Sequence, residues 1–122
     1  MTVQEALETL ALLKPHAYPP QVLLRELHAL DGRVLQEIWS GREGAPPSLP
    51  AYTPETAAAT GLMAEEPYDL MYLHYLMARV SLWNGETERY NQHAALFEEA
   101  YAAYRAWVTR SAAWSGRQHI RM

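Results

Sequence analysis

Five histidines (His16, His28, His74, His93 and His119) and two adjacent carboxylate pairs (Glu65–Glu66 and Glu98–Glu99) are the residues best equipped for chemistry in this chain. Their spacing does not assemble a site. A helical bundle that holds two metal ions uses Glu-x-x-His pairs on facing helices, and no glutamate here has a histidine three residues later. The histidines stand singly, without His-x-x-x-His spacing, and read as surface or half-buried residues. The absence of cysteine excludes thiolate ligands and thiol catalysis. Gly41 and Gly44 lie in a proline-rich stretch with no following lysine, unlike a phosphate-binding loop. The few serines show no nucleophile-elbow pattern. Glu98 and Glu99 fall between Phe97 and Tyr101 on the outward side of a helix, where they read as solvated charges. No catalytic residue, metal ligand or cofactor is expected, and the chain reads as something other than an enzyme.

The totals set the frame. A chain of 122 residues with 49% hydrophobic content is of single-domain size and can build a core without disulfide or metal. No apolar run approaches the roughly 18 residues of a membrane span. Glu5 and Glu8 stand where an export signal carries positive charge, so synthesis and folding in a cytoplasm are expected. The net charge of −4 argues against a general nucleic-acid binder. Glu99 is the last acidic residue, and Arg105, Arg110, Arg117 and Arg121 follow it. An acidic body thus carries a basic tail, either merely soluble or docked on an acidic or main-chain-rich partner.

Four helical stretches are predicted, giving an all-α fold: one helical domain over residues 1–110 and an extended tail over 111–122. The first helix runs from Val3 to Lys14. Thr2 and Glu5 form a capping-box pattern, Val3, Leu7, Leu10 and Leu13 share a face, and Pro15 ends it. The second starts at Pro20, carries Leu23, Leu27, Leu30, Val34 and Ile38 at helical spacing, and stops at Gly41. From about 41 to 66 prolines, glycines and alanines preclude a continuous helix, though a turn is expected at Glu55–Thr60 and extended chain at Gly61–Ala64. A loop of this length points to a contact role, with a floppy connector as the alternative. The third helix spans Pro67 to Asn84. Asn84-Gly85 makes a short turn, and a fourth helix follows from Glu86 to Arg110 with a seam of Tyr90, Ala94, Phe97, Tyr101, Tyr104 and Val108. The two should form an antiparallel hairpin.

The third helix is apolar nearly all round. Tyr68, Met71, Tyr72, Tyr75, Leu76 and Trp83 make one stripe, and Leu70, Leu73, Met77 and Val80 a second. A domain this small is expected to cover only part of that surface, which makes the second stripe a candidate subunit interface. The hairpin tyrosines fit either a tyrosine-rich core with hydroxyls at its rim or a subunit interface.

The run Pro67-Tyr68-Asp69-Leu70-Met71-Tyr72-Leu73-His74-Tyr75-Leu76-Met77-Ala78, followed by Trp83-Asn84-Gly85-Glu86 and Arg89-Tyr90-Asn91, resembles the small head–tail connector, or adaptor, proteins of tailed phages and prophages. Leu30-Asp31-Gly32-Arg33-Val34 with Glu37 resembles that family's second helix, and Thr2 to Lys14 its opening. The likeness covers most of the chain except Gly41 to Ala64 and the last dozen residues. It implies a helical subunit of a ring, commonly of twelve copies, beneath the portal protein in the virion neck. Such a ring offers a platform to a tail-side stopper or completion protein and lets DNA pass without sequence-specific binding; the isolated subunit can be monomeric. The family's C-terminal segment reaches into the portal, and Trp114, Arg117 and Arg121 occupy the matching place here. A stand-alone helical module that grips a partner protein is the alternative reading of the same apolar faces.

Overall fold

The computed structural model describes residues 1–112, so the tail residues Trp114, Arg117 and Arg121 lie outside the described residues. The fold is all-α. Its elements are α1 (Val3–Leu13), α2 (Pro20–Val34), a π-helical turn (Leu35–Trp39), α3 (Leu70–Trp83) and α4 (Thr87–Ser111).

Each start and stop has a local cause. At α1 the Glu5 N–H donates to Thr2 Oγ1 at 3.1 Å, and the Thr2 N–H donates to Glu5 Oε1 at 2.8 Å, so two of the donors a helix start leaves unpaired are satisfied. Two more donors of that first turn, the N–H groups of Val3 and Gln4, reach the carbonyls of Thr60 and Ala57 at 2.9 and 3.0 Å. The long loop therefore finishes the cap of α1. Pro20 opens α2, where its missing N–H costs nothing. The helix then runs without a break into the π turn, and Trp39 on that turn donates its indole Nε1–H to Tyr104 Oη at 2.9 Å. Gly41 ends the segment with φ of 79°, a conformation glycine adopts without strain.

The third helix begins at Leu70, three residues after Pro67. Tyr68 and Asp69 lie instead in a preceding turn, where the Tyr68 N–H donates to the Glu65 carbonyl at 2.7 Å. Gly85 has φ of 76° between α3 and α4. No heavy atom would lie within 4 Å of a Cβ there, so a side chain meets only backbone strain. Gly85→Val is expected to cost about 1–2 kcal/mol, read as a lower thermal midpoint; an unchanged midpoint would contradict the left-handed turn.

The second stripe of α3 requires a correction. Leu73 is 5% exposed and Val80 0%, and Met77 is half-buried against the core; of the four residues expected at a subunit interface only Leu70, at 55%, stands open. The cover comes from three sides, because α3 packs on α1, α2 and α4. The Met1 amino group bonds Asp69, just before α3, at 2.9 Å, and Lys14 Nζ bonds Glu86, just after it, at 2.7 Å. These clamps lay α1 alongside α3 over its whole length, with Val3, Ala6 and Leu10 fully buried. The loop also turns inward: Tyr52, Ala57, Leu62 and Ala64 are all buried in the core.

Candidate assembly surface and the polar locks beneath it

Asp31 is a carboxylate on α2 with no exposed surface. Its Oδ2 accepts from the Tyr52 hydroxyl at 2.6 Å and the Met63 N–H at 3.1 Å, and its Oδ1 accepts from the Tyr72 hydroxyl at 2.6 Å. The Tyr72 oxygen in turn accepts from the Ala64 N–H at 2.8 Å. One buried carboxylate thus ties α2 to α3 and to two points of the long loop. Burial raises the Asp31 carboxyl above its usual range even though these donors pull the other way. Nothing in the spacing of Leu30-Asp31-Gly32-Arg33-Val34 alone names these partners. The available signal was an aspartate set between Leu30 and Val34 on an apolar stripe, a place that demands partners.

Other motif residues form similar locks. Glu37 accepts from the Tyr101 hydroxyl at 2.7 Å and from Arg33 Nε at 3.0 Å, and the Arg33 guanidinium lies 4.3 Å from the Tyr101 ring centroid. The Tyr101 hydroxyl, then Arg33, hold the Glu37 carboxyl below the usual carboxylate range. Tyr75 donates to Glu26 at 3.2 Å, and Arg79 sits 3.3 Å from the same carboxylate as an ion pair without hydrogen-bond alignment. The Tyr18 hydroxyl donates to Asn84 Oδ1. Tyr72 and Tyr104 are fully buried, and the Tyr68 ring lies tilted against Tyr104 and Trp107, which stack on each other. Tyr90 is half-buried. Asp31, Arg33, Glu37, Tyr72 and Tyr75 of the motif segments thus bond between elements, while Pro67, Asn84, Gly85, Arg89 and Asn91 are exposed.

His74 on α3 and His93 on α4 carry buried Nδ1 atoms without a hydrogen-bond partner. Burial pushes both imidazoles below their usual range, with Lys14 adding to the effect at His93. The folded state then resists protons that the unfolded chain accepts, so stability is expected to fall as pH drops through about 6.5. The raised Asp31 carboxyl has the opposite sign, and the lowered carboxyls of Glu37 and Glu86 lose their contribution only near and below their ordinary carboxylate range. A urea midpoint that declines from about pH 7.5 to about 5.5, and flattens in a His74→Gln/His93→Gln chain, is the expected result. A flat wild-type profile would show that these rings are solvated.

The outward surface has three notable features. Leu12 and Leu13, at the end of α1, are 82% and 58% exposed. An apolar groove of about 430 Å³ runs between α2 and the loop segment Ala51–Pro54. A cleft of about 530 Å³ bounded by Trp39 and Trp107 adjoins Ala112, whose carbonyl accepts from Arg42 Nη1 at 3.1 Å. Among the described residues no group of three or more histidines and acids could hold a metal ion, and no helix is long and apolar enough to cross a membrane. Comparison with family models, curated proteins and solved structures finds no match to this chain.

Proposed function

We propose that this chain is a structural subunit of a phage or prophage head–tail connector, assembling as a ring below the portal protein and presenting its far side to a tail-side stopper or completion protein. One observation carries the reading. The two segments that resemble the connector family, Leu30 to Glu37 and Pro67 to Asn91, are far apart in sequence yet meet through the Asp31–Tyr72 bond, and α4 joins them through Tyr101 and Glu37. Such interlocking is what a shared architecture requires of its recurring residues. The four-helix arrangement, with α3 and α4 as an antiparallel hairpin and the long loop folded onto it, is the scaffold of that subunit. The net charge of −4 suits a conduit that must pass DNA without holding it.

The buried second stripe of α3 moves the expected ring contacts to other surfaces. In this reading Trp114, Arg117 and Arg121 reach the portal, and the ring belongs to the virion neck. Solution mass measured for the chain alone and with a portal protein from the same genome tests the proposal. A chain that is monomeric alone and collects on the portal as a ring supports it, and removal of residues 113–122 should weaken that binding while leaving helicity intact. A chain that never binds portal at high concentration defeats it. The stand-alone binding module would instead form a one-to-one complex with a protein that is not part of a virion.

A further inference from the structure

The exposed leucines of α1 and the groove on α2 have complementary chemistry. Glu5, Glu8 and Leu12 recur at steps of three and four on α1, so they share its outer face, and all three are exposed. Gln21, Arg25 and His28 recur at steps of four and three on α2 and line the groove. Its lining is largely apolar, with Leu24 and Tyr52 buried and Ala29 and Pro54 exposed, and Arg25, also part of the lining, is exposed. One surface is acidic with a protruding leucine at its end. The other is a hollow with a basic edge.

We infer that these surfaces meet between two copies of the chain: Leu12 of one copy enters the α2 groove of the next, with Glu8 beside that copy's Arg25. A patch that fits a different patch on an identical neighbour makes a heterologous contact, which repeats around an axis or along a filament. The groove, at about 430 Å³, has room for a leucine side chain, and its aromatic wall Tyr52 is held from behind by the bond to Asp31. Charge sets the pairing, since a second α1 face would bring carboxylates against Glu5 and Glu8 and a second groove would bring Arg25 against Arg25. The inference deepens the connector reading by naming its subunit contact, yet it can fail or hold separately.

Charge reversal tests it. Glu8→Arg places cation against Arg25 and Arg25→Glu places carboxylate against Glu8, so each variant alone should associate with its own copies, free or gathered on portal, about tenfold or more weakly than wild type in the same condition. Mixing the two should restore association, because every contact in an alternating assembly again pairs opposite charges. The chain has no cysteine, so Leu12→Cys and Ala51→Cys variants can be mixed under mild oxidation, with and without portal. A mixed disulfide well above what either variant forms alone is expected. Variants that associate like wild type, or a mixture that forms no excess cross-link in either condition, would overturn the contact. Portal binding is scored in the same samples. Cross-linking without portal binding keeps this contact and removes the connector reading, whereas portal binding without cross-linking does the reverse.

Discussion

Replacing Asp31 with alanine is expected to lower the unfolding free energy by about 3 kcal/mol or more, since each buried donor left unsatisfied costs about 1–3 kcal/mol. The change leaves the hydroxyls of Tyr52 and Tyr72 and the N–H of Met63 without their acceptor in a site closed to water. Asp31→Asn should cost less, because its remaining oxygen accepts one bond and a tyrosine hydroxyl can rotate to receive the amide. The effect should also be local. With Tyr52 and Met63 released, the loop between the π turn and α3 should become the first site of proteolytic cleavage. Urea midpoints and limited proteolysis on the three chains read both effects. An Asp31→Ala chain as stable as wild type would show that the loop is not held this way.

The second large effect is expected at Val80. Asp at this fully buried position would be a charge without partner in the core, at a cost of roughly 4 kcal/mol or more. Against a typical total of about 5–15 kcal/mol, that removes most of the stability. Val80→Asp should therefore lose its cooperative thermal transition by circular dichroism. Leu70→Asp, on the same stripe but 55% exposed, should keep helicity and midpoint close to wild type. The pair separates a core position from a surface one. A folded, well-expressed Val80→Asp monomer would return this flank of α3 to the list of subunit contacts.

Much of the helical plan was legible because its signals are local. Thr2 with Glu5, Pro20, Gly41 and the Asn84-Gly85 turn act within a few residues, and the helices begin and end near them. Pro67, a favourable first-turn residue, predicts an earlier start for α3, while the turn that bonds Tyr68 to Glu65 delays the helix to Leu70. The π turn at Leu35–Trp39 left no trace in a stripe that continues through Ile38. The burial of Leu73 and Val80 was illegible for a different reason. Periodicity reports how apolar a face is but not which elements pack on it, and α1, for one, is brought against α3 by Met1–Asp69 and Lys14–Glu86, pairs 68 and 72 residues apart. The Asp31 lock is equally non-local, since Tyr52 and Tyr72 lie 21 and 41 residues away in sequence. The α2 groove was hardest to see, because it exists only once Ala51–Pro54 folds against α2.

A cryo-electron reconstruction of the neck of a virion carrying this gene tests the connector reading most directly. The account predicts a ring of density between portal and tail into which the helical body fits, with the α1 edge of each copy against the α2 groove of its neighbour. Purified, infectious virions that contain no copy of this chain would contradict it.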